Sequence, residues 1–187
     1  LVRYKEGGEQ LSDEEIRMSV FQMISAGANI SLVIGSLLFE LLKQPELWEQ
    51  VHADRTLIPI AVEETLRCHP SSPWVMRLCR EETTIGDVPI EAGKRIMLSI
   101  ASANRDDEFG PDPDTFSLDR SPNKHPHLAF GFGPHFCLGA PLARLQVTIA
   151  LEEFLNRLPS MRLAPDFEYR NINASMLHGP QNLEVCW

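Results

Sequence analysis

One cysteine lies inside a glycine-rich run. Phe130-Gly131-Phe132-Gly133-Pro134-His135-Phe136-Cys137-Leu138-Gly139 leads into an apolar segment that continues through Pro141 and Arg144. Gly131 and Gly133 allow sharp bends and a close approach of backbone to a ligand. Cys137 falls where the next helix is expected to begin, and the free amides and positive end of a helix dipole favour a thiolate there. A thiolate presented by a flat, glycine-lined loop suits axial ligation of haem iron from one side. Sulfur ligation pushes electron density toward the iron and favours O–O cleavage. A buried structural cysteine ahead of a helix is the plainer alternative. A zinc cluster from His125, His127, His135 and Cys137 is a third, but it lacks the closely spaced ligand pairs of structural zinc sites.

A second constellation is Glu64-Thr65-Leu66-Arg67, which sets a carboxylate and a guanidinium three residues apart on one helix face. By itself it reads as a surface ion pair of small energetic weight.

The elements that must carry these residues can be read from pattern. Ser12-Asp13-Glu14-Glu15 is a capping box. The helix it opens is expected to run from Asp13 to about Lys43, roughly 45 Å at 1.5 Å per residue. Its middle, Met23 to Leu42, is apolar nearly all round, which admits a membrane span by length. Ser25, Asn29, Ser31, Ser36 and Glu40 inside the run favour a buried central helix instead. Pro45 to Asp54 and Leu57 to Cys68 read as two further helices, the second ended by His69-Pro70. From Trp74 to Ile100 the pattern turns to short strands, with turns at Gly86-Asp87 and Ala92-Gly93. A short helix is expected over Ala101 to Asp106, an irregular proline-rich segment over Phe109 to His127, an amphipathic helix over Cys137 to Leu158, and a small hairpin sheet in the tail from Met161 to Trp187. The fold class is mainly α with small segregated β-sheets.

The ten residues from Phe130 to Gly139 resemble the haem-binding loop of the cytochrome P-450 family. The pattern there is Phe, two residues, Gly, one residue, a basic residue, one residue, Cys, one residue, Gly. Phe130, Gly133, His135, Cys137 and Gly139 occupy every fixed position. The resemblance covers nearly the whole chain but only the C-terminal half of that family's fold. It therefore implies that residues 1–187 are the haem-ligating part of a single cytochrome P-450 domain of the soluble bacterial type, with the N-terminal half absent.

The resemblance implies roles residue by residue. Cys137 supplies the axial sulfur, with Phe130, Gly131 and Gly139 shaping the loop around it. His135 and Arg77 reach the haem propionates through charge-assisted bonds. Glu64 and Arg67 form a buried lock rather than a surface pair, with Arg120 as third partner. Asn104-Arg105-Asp106 matches a structural family segment. Ala26 and Gly27 let haem and oxygen approach the long helix. Asn29 and Ile30 depart from the family, where an acid and a threonine organise proton delivery. An amide does not titrate and isoleucine has no hydroxyl. A substrate hydroxyl, a water held by Asn29, or peroxide as the oxidant are the substitutes on offer; Ser31, one residue past Ile30 and roughly 100° further round the helix, is a poor one.

The activity so implied is monooxygenation of a small organic substrate using haem b, O2 and electrons from NAD(P)H. The alternatives are a peroxide-driven or non-oxygenating haem-thiolate enzyme and a non-catalytic haem-binding fragment. The chain shows no dinucleotide fingerprint. A separate ferredoxin or flavodoxin-type donor with its reductase is therefore expected, steered by a local basic patch of Lys124, Arg144 and neighbouring histidines.

Composition sets the outer limits. At 187 residues the chain suits one domain, and its net charge of −9 argues against nucleic acid as a partner. The four cysteines, Cys68, Cys79, Cys137 and Cys186, have no paired spacing and do not read as a disulfide framework. No signal peptide is visible, so the cytoplasm is the expected location.

Overall fold

The capping box at Ser12 forms as its residues dictate. The Glu15 amide donates to the Ser12 hydroxyl, and the Glu15 carboxylate accepts from the Ser12 amide at 2.8 Å. In this computed structural model, which describes residues 5, 6, 9–120 and 126–187, the helix so opened is α1, Asp13–Gly27. It follows a short antiparallel ribbon of β1, Lys5–Glu6, and β2, Glu9–Gln10.

The expected single helix to Lys43 is interrupted. A second helix, α2, spans Ile30–Lys43. At the junction the Asn29 amide donates three residues back, to the Ala26 carbonyl at 3.2 Å, and the Ser31 hydroxyl donates to the Ala28 carbonyl at 2.9 Å. A serine hydroxyl competing for a helix carbonyl tightens and bends the ladder locally. Ala28 and Asn29 keep right-handed dihedrals, with ψ of −24° and −19°. The chain thus passes through a 3₁₀-like turn without reversing.

Burial also differs from expectation. Only α2 is a buried central helix. α1 has no buried residue, and Met18, Phe21, Met23 and Ile24 lie exposed along it. The span Asp13–Lys43 is long and apolar enough to cross a membrane by length and composition, with a third of its most apolar stretch buried inside the protein. The buried part lies in α2, whose Leu37 and Leu41 sit in the main core beside Glu40.

The remaining helices are α3, Pro45–Ala53, with proline in its first turn, and α4, Ile58–Cys68. A short α5 spans Ile100–Ala103, and the long α6 spans Ala140–Arg157. Helices α3, α4 and α6 close over α2, while the short α5 packs on the strand Trp74–Leu78. Trp48 and Val51 of α3, Ile58 and Val62 of α4, and Leu151 and Leu155 of α6 complete the core. α6 begins three residues later than expected. It is also apolar on two sides, since Leu142, Leu145 and Ile149 are exposed opposite the buried set.

The strands are small and separate. β3, Trp74–Leu78, pairs antiparallel with β6, Arg95–Ser99; β4, Thr83–Ile85, and β5, Val88–Ile90, form the hairpin across Gly86-Asp87. β7, Arg162–Leu163, pairs with β8, Val185–Cys186, and an isolated bridge joins Asn171 to Pro180. The tail is fastened to α2 from below. Glu40, 3% exposed, pairs with Lys43 and with His69 Nε2, both at 2.6 Å, and His69 stacks parallel on His178 of the tail.

Candidate functional site

The cysteine loop is built from the backbone first. Gly131 and Gly133 both take φ of +74°. A Cβ at Gly133 would meet nothing within 4 Å, so the glycines there answer a conformational demand and not a shortage of space. The Gly131 amide donates to the Leu128 carbonyl at 2.8 Å, and the Cys137 amide donates to the Phe130 carbonyl at 2.9 Å. Cys137 therefore lies outside α6, which starts at Ala140, and its own amide closes the loop. A Cβ at Gly139 would lie 3.8 Å from the Cys137 sulfur, so glycine leaves the approach to that sulfur clear.

The loop turns an apolar face outward. Cys137 is exposed, and Phe132 and Leu138 on either side are 84% and 89% exposed, with Phe136 and Leu142 also open. An exposed sulfur flanked by exposed apolar side chains suits a hydrophobic macrocycle with a sulfur-liganded metal. His135 is exposed on the same loop. Arg77 is exposed on β3, where its guanidinium donates to the Met76 carbonyl at 3.0 Å.

Behind the loop the polar groups are buried. Glu64 and Arg67 of α4 are 4% and 2% exposed. Arg67 Nε and Nη2 donate to the two Glu64 oxygens, each at 2.8 Å. Arg67 also donates to the carbonyls of Asn104 at 2.9 Å, Pro113 at 2.5 Å and Thr115 at 3.1 Å. Arg120 Nε reaches Glu64 Oε1 at 3.1 Å, and its Nη1 reaches the Phe109 carbonyl. The pair thus pins the irregular segment after α5 against α4. Burial works against the charge on Arg67, but the Glu64 hydrogen bonds and charge outweigh it and raise its pKa. Burial first, and then the Glu64 charge, push the neighbouring Cys68 thiol up to about 12, which keeps it protonated.

Two connections were not legible as functional in the sequence. Asn104, fully buried, accepts from the Leu128 amide at 2.7 Å and donates to the Arg67 carbonyl at 3.1 Å. It ties the lock to the root of the cysteine loop. Glu63 accepts from Arg144 Nε at 2.6 Å and Nη2 at 2.9 Å, with His127 Nε2 at 3.2 Å. Tandem acids at 63 and 64, on adjacent faces of one helix, were the available signal.

Several expected placements change. Arg144 is not a free cation of a basic patch, because its guanidinium is held bidentately by Glu63. Lys124 and His125 lie outside the described residues. Ser31 is exposed, with its hydroxyl given to the Ala28 carbonyl. It lines a cavity of about 440 Å³ with Ile34, Phe154, Leu158 and Val185, and the α6 side of that cavity begins about 20 Å along the helix from Ala140. Ile30 packs against the core. Ala26 and Gly27 are exposed at the end of α1, and Asn29 is half-buried with no capping bond from its side chain.

Comparison with known proteins decides the family. The cytochrome P-450 family profile matches residues 2–187. The chain belongs to the cytochrome P-450 family. It is 38% identical to the mycinamicin IV hydroxylase/epoxidase of Micromonospora griseorubida, across all of this chain and 48% of that protein. It is likewise 38% identical to the steroid C26-monooxygenase of Mycolicibacterium smegmatis, across all of this chain and 46% of that protein. The crystal structure of CYP109E1 from Bacillus megaterium in complex with testosterone superposes with a TM-score of 0.91 at 35% identity, over 99% of this chain and 51% of that one. The chain thus spans about half the length of the cytochromes P-450 it matches, and its helix-rich architecture with small sheets is part of the cytochrome P-450 fold.

Proposed function

We propose that residues 1–187 form the haem-ligating part of a single cytochrome P-450 monooxygenase domain. The reaction it serves takes a substrate C–H, O2, two electrons and two protons to the alcohol and one water. The observation that carries this reading is the Cys137 sulfur, exposed among exposed apolar side chains on a loop closed by the Phe130 carbonyl and anchored at Leu128 by Asn104. Cys137 would hold haem b through its sulfur, and the haem would supply the oxygen-activating chemistry.

The chain's own residues then have limited, defined tasks. Arg77 offers a cation and His135 a ring N–H for the propionates, and neither has an acidic partner among the described residues. Gly131 and Gly133 supply the left-handed bends of the loop, and Gly139 keeps a side chain off the sulfur. Ala26 and Gly27 leave room at the end of α1, and Phe132 and Leu138 would shield the Cys137 sulfur from water once haem covers them. Asn29 orients a water by hydrogen bonding and does not itself give up a proton. Relatives named for mycinamicin and steroid, and one solved in complex with testosterone, support a bulky, largely apolar organic substrate. Electrons come from NAD(P)H through a separate ferredoxin or flavodoxin-type donor and its reductase, in the cytoplasm.

The test is haem titration of the chain, alone and joined to the preceding half of a 38% identical relative, followed by the ferrous–CO spectrum. Stoichiometric uptake with a strongly red-shifted Soret band, lost in Cys137→Ser, is expected. Retention of that band in Cys137→Ser would reject the reading.

Asn29 and Ile30 favour one second reading, oxidation driven by peroxide, because an amide does not titrate and Ile30, half-buried against the core, has no hydroxyl to pass a proton. Peroxide turnover exceeding turnover with O2 and a reductase, and reversal of that order in Asn29→Asp with Ile30→Thr, supports it.

A further inference from the structure

We infer that Glu63 is a positioning residue for the Cys137 sulfur, acting through Arg144 and the ring of Phe130; the inference rests on Cys137 as the haem ligand. Consecutive residues on a helix point about 100° apart. Glu64 turns to the lock, and Glu63 turns to α6 and the root of the cysteine loop. Three donors converge on Glu63, two from Arg144 and one from His127. The Ala129 amide donates to His127 Nδ1 at 3.2 Å. Nδ1 is therefore the acceptor of that ring, and Nε2 carries the proton given to Glu63.

Arg144 transmits this hold to the loop. Its guanidinium carbon lies 4.7 Å from the centroid of the Phe130 ring. Phe130 meets Phe136 edge-on at 6.3 Å. The Phe130 carbonyl accepts the Cys137 amide. The ring that backs the loop is thus seated on a cation whose place is set by a carboxylate on α4. A guanidinium draws on an aromatic face most strongly when partly desolvated and oriented. Arg144 is 38% exposed along its side chain, so without Glu63 it is free to turn to solvent and leave Phe130. Burial pushes the Glu63 carboxyl up, but the bonds from His127 and Arg144 outweigh it and hold it down at about 2, so the hold persists across ordinary pH.

The test measures the loop with and without haem. In the full chain, Glu63→Ala should speed amide hydrogen exchange over residues 127–139 about tenfold, while residues 33–43 of the core change less than about twofold. Arg144→Lys keeps the charge, loses the bidentate grip and should speed exchange over 127–139 about threefold. In the haem-loaded protein, Glu63→Ala should lower the share of ferrous–CO absorbance in the red-shifted band at equal haem content. Exchanging the partners, Glu63→Arg with Arg144→Glu, restores an ion pair but removes the cation from Phe130, and should not recover that share. Recovery by the exchange, or equal acceleration in 127–139 and 33–43, would overturn the inference. If Cys137→Ser leaves the spectrum unchanged the ligand assignment falls, whereas the exchange pattern still reports on Glu63.

Discussion

Replacing Arg67 by lysine tests whether the lock is a matter of charge or of shape. Lysine keeps a cation beside Glu64 but offers a compact ammonium on a flexible stem in place of a planar fork. The native guanidinium serves both Glu64 oxygens and the carbonyls of Asn104, Pro113 and Thr115 together. An ammonium has three donors for these five acceptors, so at least two of them, in a buried or half-buried setting, lose their donor. A buried polar group left unsatisfied costs about 1–3 kcal/mol. Arg67→Lys should therefore destabilise by about 3 kcal/mol. Arg67→Ala, which also strands the Glu64 charge, should cost about 3–5 kcal/mol. With a urea slope of about 2 kcal/mol per molar, the lysine variant should unfold about 1.5 M earlier. Arg157→Ala is the control, because its pair with Glu153 is 78% and 51% exposed and should be worth only about 0.3–0.5 kcal/mol. If Arg67→Lys moved the midpoint no further than Arg157→Ala, the hydrogen bonds to the irregular segment would not be what holds it.

Three further outcomes can be measured on the same protein. Glu63 has its pKa lowered from 4.5 to about 2. Because the folded value is depressed, its stabilisation is complete above pH 4.5 and is lost as pH falls through about 2. The shift corresponds to about 3 kcal/mol before solvent screening and nearer 1–2 kcal/mol at a partly exposed pair, so Glu63→Gln should flatten the acid limb of a urea-midpoint profile. Burial, with His69 adding, lowers the pKa of His178 from 6.5; stability should begin to fall as pH drops below 6.5, and His178→Asn should remove that onset. Gly35→Ala places a Cβ 2.7 Å from Pro180 Cγ, which should cost about 1–3 kcal/mol by overpacking and expose the tail to proteolysis.

The sequence was most readable where local rules suffice. The capping box at Ser12, the proline-started helix at Pro45 and the hairpin around Gly86-Asp87 follow from short-range chemistry, and all three form. The cysteine loop was legible because its glycines answer a backbone demand that no other residue meets as cheaply. Illegible features depended on distant partners. Whether Arg144 is a free cation or a held one is decided by Glu63, eighty-one positions earlier. The break at Ala28-Asn29 depends on a serine hydroxyl choosing a backbone carbonyl over solvent. The bareness of α1 was hidden because apolar periodicity reports that a face seeks cover, not which surface covers it.

The way the loop is held bears on why its supports are polar. Apolar packing fixes distance well and direction poorly, since dispersion contacts are individually weak and non-directional. A sulfur that must meet a metal along one axis needs its direction set. Asn104 supplies hydrogen bonds of fixed geometry to Leu128 and to the Arg67 carbonyl, and Glu63 supplies a bidentate grip on Arg144. Both anchors trace to α4, the helix that also carries the lock. Asn104→Leu, close in volume and apolar, should thus leave the core packed yet strand the Leu128 amide and the Arg67 carbonyl. The expected result is a folded chain, by exchange protection in α2, whose residues 127–139 exchange faster by about tenfold. Exchange in that stretch unchanged from the parent chain would mean that packing alone sets the loop, and that the polar anchors are incidental to it.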